Sequence, residues 1–122
     1  MTRILIVDDQ PAFRRLLRRL LTHAGMEVVA EAGDMDEAKA MVRQFQPDIA
    51  VVDVMLPGVS GLEGTPQLKA LDDHLRVILV SAYQNFGQAA AQVGADAFVP
   101  KDELDLETVL AWKEHVNQGS GN

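Results

Sequence analysis

Four short apolar runs in the chain each end on a side chain able to do chemistry. Ile4 to Val7 stops at Asp8-Asp9, and Ile49 to Val52 stops at Asp53. Val77 to Val80 stops at Ser81-Ala82, and Ala97 to Val99 stops at Pro100-Lys101. One acid after such a run is an ordinary cap or turn residue. The set taken together means more. Three carboxylates brought close repel one another and need a counter-ion at neutral pH. A hard divalent cation with oxygen ligands meets that need, and Mg²⁺ suits a site with few protein ligands that keeps several waters. Lys101 adds a positive point charge that can hold a phosphoryl oxygen. The Ser81 hydroxyl can donate a hydrogen bond to another, and one carboxylate can act as a nucleophile, as in aspartyl-phosphate chemistry. Metal, lysine and hydroxyl would together stabilise charge on a transferring group.

The elements that must position these residues follow from the same runs. Apolar stretches this short, without alternation, predict strands buried on both faces, as in a parallel sheet. Helices are expected between them. Pro11 opens the first, with Phe13, Leu16, Leu17, Leu20, Leu21 and Ala24 at helical spacing and Gly25 as the stop. Val28 and Val29 open a strand that ends in Ala32-Gly33, without obvious chemistry. Asp34 caps a second helix carrying Ala38, Met41, Val42 and Phe45, which ends before Pro47. A third runs to about Leu71 with Leu62 and Leu68. Pro66 lies within it, so the helix either bends or restarts with Thr65 as cap. Ala89 to Val93 form part of a fourth helix stopped by Gly94, and Leu104 to Val116 form the last. Val109, Trp112 and Val116 share one side of it, which favours packing for the tryptophan. Five βα units predict an α/β fold: a single doubly wound domain over residues 1–118, with right-handed crossovers and a flexible tail at 119–122. In such sheets the working site lies beyond the carboxyl ends of the strands, where Asp8, Asp9, Asp53, Ser81 and Lys101 fall.

Composition narrows the function. At 122 residues, 48% apolar and 24% charged, the chain is one ordinary globular domain. It has no cysteine, which excludes disulfide scaffolds, thiol catalysis and cysteine zinc sites. No stretch approaches the ~18 apolar residues of a membrane span, and acids arrive too early for a secretory signal. A soluble, cytoplasmic protein without a membrane partner is expected. Eleven basic against 18 acidic residues give a net charge of −7, ill-suited to nucleic-acid contact. His23, His74 and His115 share no ligand spacing and read as surface residues. Gly58, Gly61 and Gly64 do not form a dinucleotide fingerprint and read as loop and helix entry. No P-loop motif occurs.

The segments ILIVDDQPAFRRLL, QPDIAVVDVMLPGVSGLEG, VILVSAY and VGADAFVPKDEL resemble the receiver domains of two-component response regulators. The likeness runs from about Arg3 to Val116. It implies a flavodoxin-like, five-stranded parallel sheet in order 2-1-3-4-5 with helices on both faces. By position, Asp53 resembles the phosphoacceptor. Asp9 resembles the direct Mg²⁺ ligand, Asp8 the acid acting mostly through water, and the Met55 carbonyl a further ligand. Ser81 resembles the switch hydroxyl and Lys101 the phosphoryl-binding lysine. Phe98 resembles the switch aromatic, whose rotation reshapes the face made by the fourth helix, fifth strand and fifth helix. The resemblance implies a signalling domain that takes a phosphoryl group from a sensor histidine kinase or histidine phosphotransfer protein. It would be catalytic only on itself, so not an enzyme in the usual sense.

Arg14, Arg15, Arg18 and Arg19 read either as a solvated helix face or as the surface on which that partner docks. Phosphorylation-dependent homodimers through the last two βα units occur in the family. Here the acidic Asp102, Glu103, Asp105 and Glu107 lie close to that face and would need basic groups opposite. Three departures stand out. Asp102 follows Lys101 where many receivers have proline, so a cis bond is not assumed. Pro66 interrupts the third helix. Met55 and Tyr83, each two residues beyond a site residue, are large and are expected to hinder the water that removes the phosphoryl group. Two rival readings are a phosphorylation-independent interaction module and a haloacid-dehalogenase-like aspartyl-phosphate phosphatase. The phosphatase needs a second acid where Met55 stands. The chain reads as a stand-alone receiver or as one excised from a longer regulator, a DNA-binding one among the candidates.

Overall fold

The computed structural model describes residues 1–120, with side chains given through residue 113. Five strands alternate with five helices: β1 (Arg3–Val7), α1 (Pro11–His23), β2 (Glu27–Ala32), α2 (Met35–Phe45), β3 (Ile49–Asp53), α3 (Gly61–Leu71), β4 (Arg76–Ser81), α4 (Gly87–Gln92), β5 (Ala97–Pro100) and α5 (Leu106–Ser120). All strand pairs are parallel and the order is β2-β1-β3-β4-β5, as expected. Among the described residues no peptide bond is cis, and no helix is long and apolar enough to cross a membrane.

The missing alternation in the strands has a direct cause. Leu5, Val7, Ala50, Val52, Val77 and Leu79 pack on the face covered by α2, α3 and α4. Their neighbours Ile4, Ile6, Ile49, Val51, Ile78 and Val80 pack on the face covered by α1 and α5. The inner residues of β1, β3 and β4 feed two cores, so successive positions there must be apolar. Trp112 is buried in the second core with Val109, as its side of the helix predicted; Val116 and His115 lie outside the residues whose side chains are described.

Local signals set the helix ends. The Asp34 side chain accepts from the Glu37 amide at 2.8 Å to start α2. Gly25, at φ +81°, stops the chain after α1. Of the two readings of Pro66, the restart at Thr65 does not occur. Instead α3 begins at Gly61 behind a reciprocal cap between Ser60 and Glu63 and continues through Pro66. That cap supplies the start Thr65 would otherwise provide, and the proline is exposed on the helix. The last helix also differs from expectation. A single 3-10 turn, Lys101–Glu103, intervenes before α5. The helix then runs on through Ser120, so residues 119 and 120, read as tail, are helical; Gly121 and Asn122 lie outside the described residues.

Candidate functional site

The carboxyl edge of the sheet gathers Asp8 and Asp9 after β1, Asp53 at the end of β3, Ser81 at the end of β4 and Lys101 after β5. Carboxylate oxygens of Asp8, Asp9 and Asp53 all lie within 4.8 Å of one another. Asp8 and Asp53 are buried, whereas Asp9 is exposed. The Lys101 ammonium stands between the buried pair, 2.7 Å from Asp8 Oδ2 and 3.2 Å from Asp53 Oδ2.

Backbone amides fix both buried carboxylates. The Gln10 N–H donates to Asp8 Oδ1 at 2.8 Å, and the Met55 N–H donates to Asp53 Oδ1 at 3.0 Å. In the same manner the Tyr83 N–H donates to Ser81 Oγ at 3.1 Å, which leaves the hydroxyl proton free to be donated. Asp8, Asp53 and Ser81 each thus close a turn with the amide two positions on, which explains why polar residues follow or end these strands.

Charge in the pocket is only partly balanced. Asp8 Oδ2 is buried with no aligned hydrogen bond, its Lys101 contact being ionic. Burial pushes the Asp8 carboxyl above its ordinary value near 3.8; the Lys101 ammonium and the Gln10 amide pull it down without cancelling the rise, and the Asp53 charge adds to it. Three carboxylates against one ammonium leave two formal negative charges when all are ionised. An oxygen-only donor set and that excess of negative charge both fit a hard divalent cation such as Mg²⁺.

Several contributors were not legible in the sequence. Gly61, read only as helix entry, lets the start of α3 press against the end of β3. Its N–H donates to the Val54 carbonyl at 2.9 Å, and a methyl there would overlap the Asp53 carbonyl oxygen and stand 2.9 Å from Val54 Cα. Arg14 donates to the Asp8 carbonyl oxygen and pairs with Glu31 of β2 at 2.9 Å. Arg18 pairs with the other Glu31 oxygen at 2.6 Å. The four arginines are therefore not one uniform face: Arg14 and Arg18 pair with Glu31 of β2, Arg18 staying exposed, while Arg15 and Arg19 are exposed and make no ion pair among the described residues. Beside them a cavity of about 250 Å³ is lined by Leu16, Arg19, Leu20, His23 and Leu106. Phe13 lies under the Lys101 ammonium, its ring centroid 4.1 Å from Nζ.

Met55 and Tyr83 stand beside the pocket with more than half of each exposed, 53% and 58%. Phe98, on β5, is half-buried and meets Phe86 edge to face at 6.3 Å between centroids.

Known proteins resemble this chain over nearly its whole length. A family model described as the response regulator receiver domain matches residues 4–111. The response regulator MprA of Mycobacterium leprae is 40% identical over 111 residues, 89% of this chain and 48% of that protein. The crystal structure of a LuxR-family two-component response regulator from Aurantimonas sp. SI85-9A1 superposes with a TM-score of 0.88 at 36% identity, covering 97% of this chain and 87% of that one. A CheY-like response regulator receiver domain protein from Methanospirillum hungatei JF-1 gives a TM-score of 0.86 at 27% identity, covering 99% and 98%. The chain spans about half the length of the curated relatives it matches, 56% and 48% for two of them.

Proposed function

Because the chain belongs to the response regulator receiver domain family of two-component systems, we propose that Asp53 is its phosphoacceptor and that the Asp8–Asp9–Asp53 cluster binds Mg²⁺. A phosphohistidine on a sensor kinase or phosphotransfer protein is the donor. The N–P bond of the phosphohistidine breaks, an O–P bond to the Asp53 carboxylate forms, and the histidine leaves with a proton. Water later attacks phosphorus, restores the carboxylate and releases inorganic phosphate. The domain is a signalling module that catalyses only these steps on itself.

The carrying observation is the gathering of three carboxylates around one ammonium. Asp8, Asp9, Asp53 and the Met55 carbonyl would hold Mg²⁺, which when bound neutralises charge on the transferring phosphoryl oxygens. Met55 N–H holds the Asp53 carboxylate in a fixed plane for attack. Lys101, already 3.2 Å from Asp53, takes a phosphoryl oxygen. Ser81 donates its free hydroxyl proton to another, and Phe98 follows that movement as the switch residue. Intact mass after incubation with Mg²⁺ and acetyl phosphate tests the assignment. One added phosphoryl group is expected on wild type and none on Asp53→Asn. An equal adduct on both would overturn it.

The donor protein docks on the outward side of α1, with Arg15, Arg19 and the neighbouring apolar cavity as the contact. Arg14 and Arg18 are committed to Glu31. Arg15→Glu with Arg19→Glu is expected to slow transfer from a partner kinase about tenfold, the size of a lost charge-steered encounter, and to spare acetyl phosphate. Equal loss with both donors would rule out docking there.

A further inference from the structure

Among the described residues the Lys101 ammonium meets Asp8, Asp53 and the ring of Phe13. The two carboxylates are the groups that a divalent cation would take. A cation entering the pocket competes for those oxygens and repels the ammonium as well. The Phe13 ring is the contact that such a cation leaves intact. Its face carries negative quadrupole charge, and an ammonium within about 6 Å of the centroid is attracted to it. Nζ stands at 4.1 Å, and the lysine side chain is only 15% exposed, which limits screening by water. Phe13 itself is anchored, half-buried against the core between the sheet and the α1–α5 layer.

We infer that Phe13 is a positioning residue for Lys101: it keeps the ammonium at the pocket when a cation occupies the carboxylates, ready for a phosphoryl oxygen. This inference rests on the phosphoacceptor reading above. It separates two bindings that a purely structural role would link. Losing the ring face should weaken the anion that Lys101 holds, while cation binding to the carboxylates alone should persist.

Two replacements isolate the ring face from its volume. Phe13→Leu keeps an apolar side chain in the core, and pentafluorophenylalanine at position 13 keeps the ring but reverses its quadrupole. Calorimetry would measure Mg²⁺ alone, then beryllofluoride in the presence of Mg²⁺ as the phosphoryl mimic. Both replacements should weaken beryllofluoride by at least about threefold and leave Mg²⁺ within twofold of wild type, and Phe13→Tyr should restore binding. The Lys101 methylene proton resonances should sit upfield in wild type, under the ring, and return toward random-coil positions in Phe13→Leu. Unchanged beryllofluoride affinity in both replacements would overturn the role, as would an equal loss of Mg²⁺ affinity, which marks a packing defect. Failure of wild type itself to bind beryllofluoride would instead overturn the phosphoacceptor reading, and the role of Phe13 with it.

Discussion

The two edges of the sheet both carry aspartates, and they are treated in opposite ways. At the amino edge Asp48, just before β3, accepts from the Arg3 N–H at 2.8 Å. Asp96, just before β5, accepts from the Val77 N–H at 2.8 Å and from the Lys69 ammonium at 2.8 Å. In each case the backbone returns the bond: Asp48 N–H donates to the Arg3 carbonyl, and Asp96 N–H to the Val77 carbonyl, both at 2.8 Å. These acids are clips that tie the start of one strand to the start of its neighbour, and their charge is spent on donors. At the carboxyl edge three acids share one ammonium, and a buried oxygen of Asp8 has no aligned donor. Satisfied carboxylates stabilise a fold; under-satisfied ones are held ready for a cation or an electrophile.

Exchanging the two kinds of acid for neutral residues should separate these roles most sharply. Asp8→Asn is expected to lose Mg²⁺ affinity by more than about tenfold, the smaller loss seen even when an outer partner of a metal ligand is removed. The same change should stabilise the metal-free protein at neutral pH. The folded pKa of Asp8 is raised, so the unfolded chain gives up this proton first. Stability is then lost as pH rises from near 3.8 through the raised folded value. Urea denaturation in EDTA should show wild type falling below Asp8→Asn across that rise and staying below it at pH 7. A less stable variant at pH 7 would mean that Asp8 is a clip like those at the other edge.

Asp96→Ala should do the reverse. It strands the buried Val77 amide and releases Lys69, costing about 2 kcal/mol of unfolding free energy, with Mg²⁺ affinity unchanged by calorimetry. The smallest effect concerns the pocket rim. Met55→Asn and Tyr83→Glu replace exposed bulk beside the acids with groups able to orient water. Each should speed loss of the Asp53 phosphoryl group severalfold, read as inorganic phosphate release after acetyl phosphate is removed. Unchanged rates would show that the rim side chains stand clear of the path of the water.

Much of this was legible along the chain because it depends on local rules. Doubly buried strands must be apolar throughout, so Ile4 to Val7, Ile49 to Val52 and Val77 to Val80 announce themselves. Residues that follow such strands must fall on one edge of a parallel sheet, so Asp8, Asp53, Ser81 and Lys101 could be brought together before any coordinates. Caps such as Asp34 lie within four residues of the groups they satisfy. Pro66 left two readings open, a bend or a restart at Thr65, and the Ser60–Glu63 cap decided between them by starting α3 ahead of the proline, through which the helix continues.

What the sequence by itself determined, then, was the element order, the parallel sheet and the identity of the acids at its carboxyl edge, since each follows from periodicity and short-range hydrogen bonding. Only the tertiary structure decided which arginines are bound to Glu31, 17 and 13 residues away. It alone set Gly61 against the Asp53 carbonyl and the Phe13 ring beneath Lys101. Those choices depend on how α1 and α3 lie on the sheet, and helix placement is fixed by the summed packing of both cores rather than by any segment the chain could reveal alone.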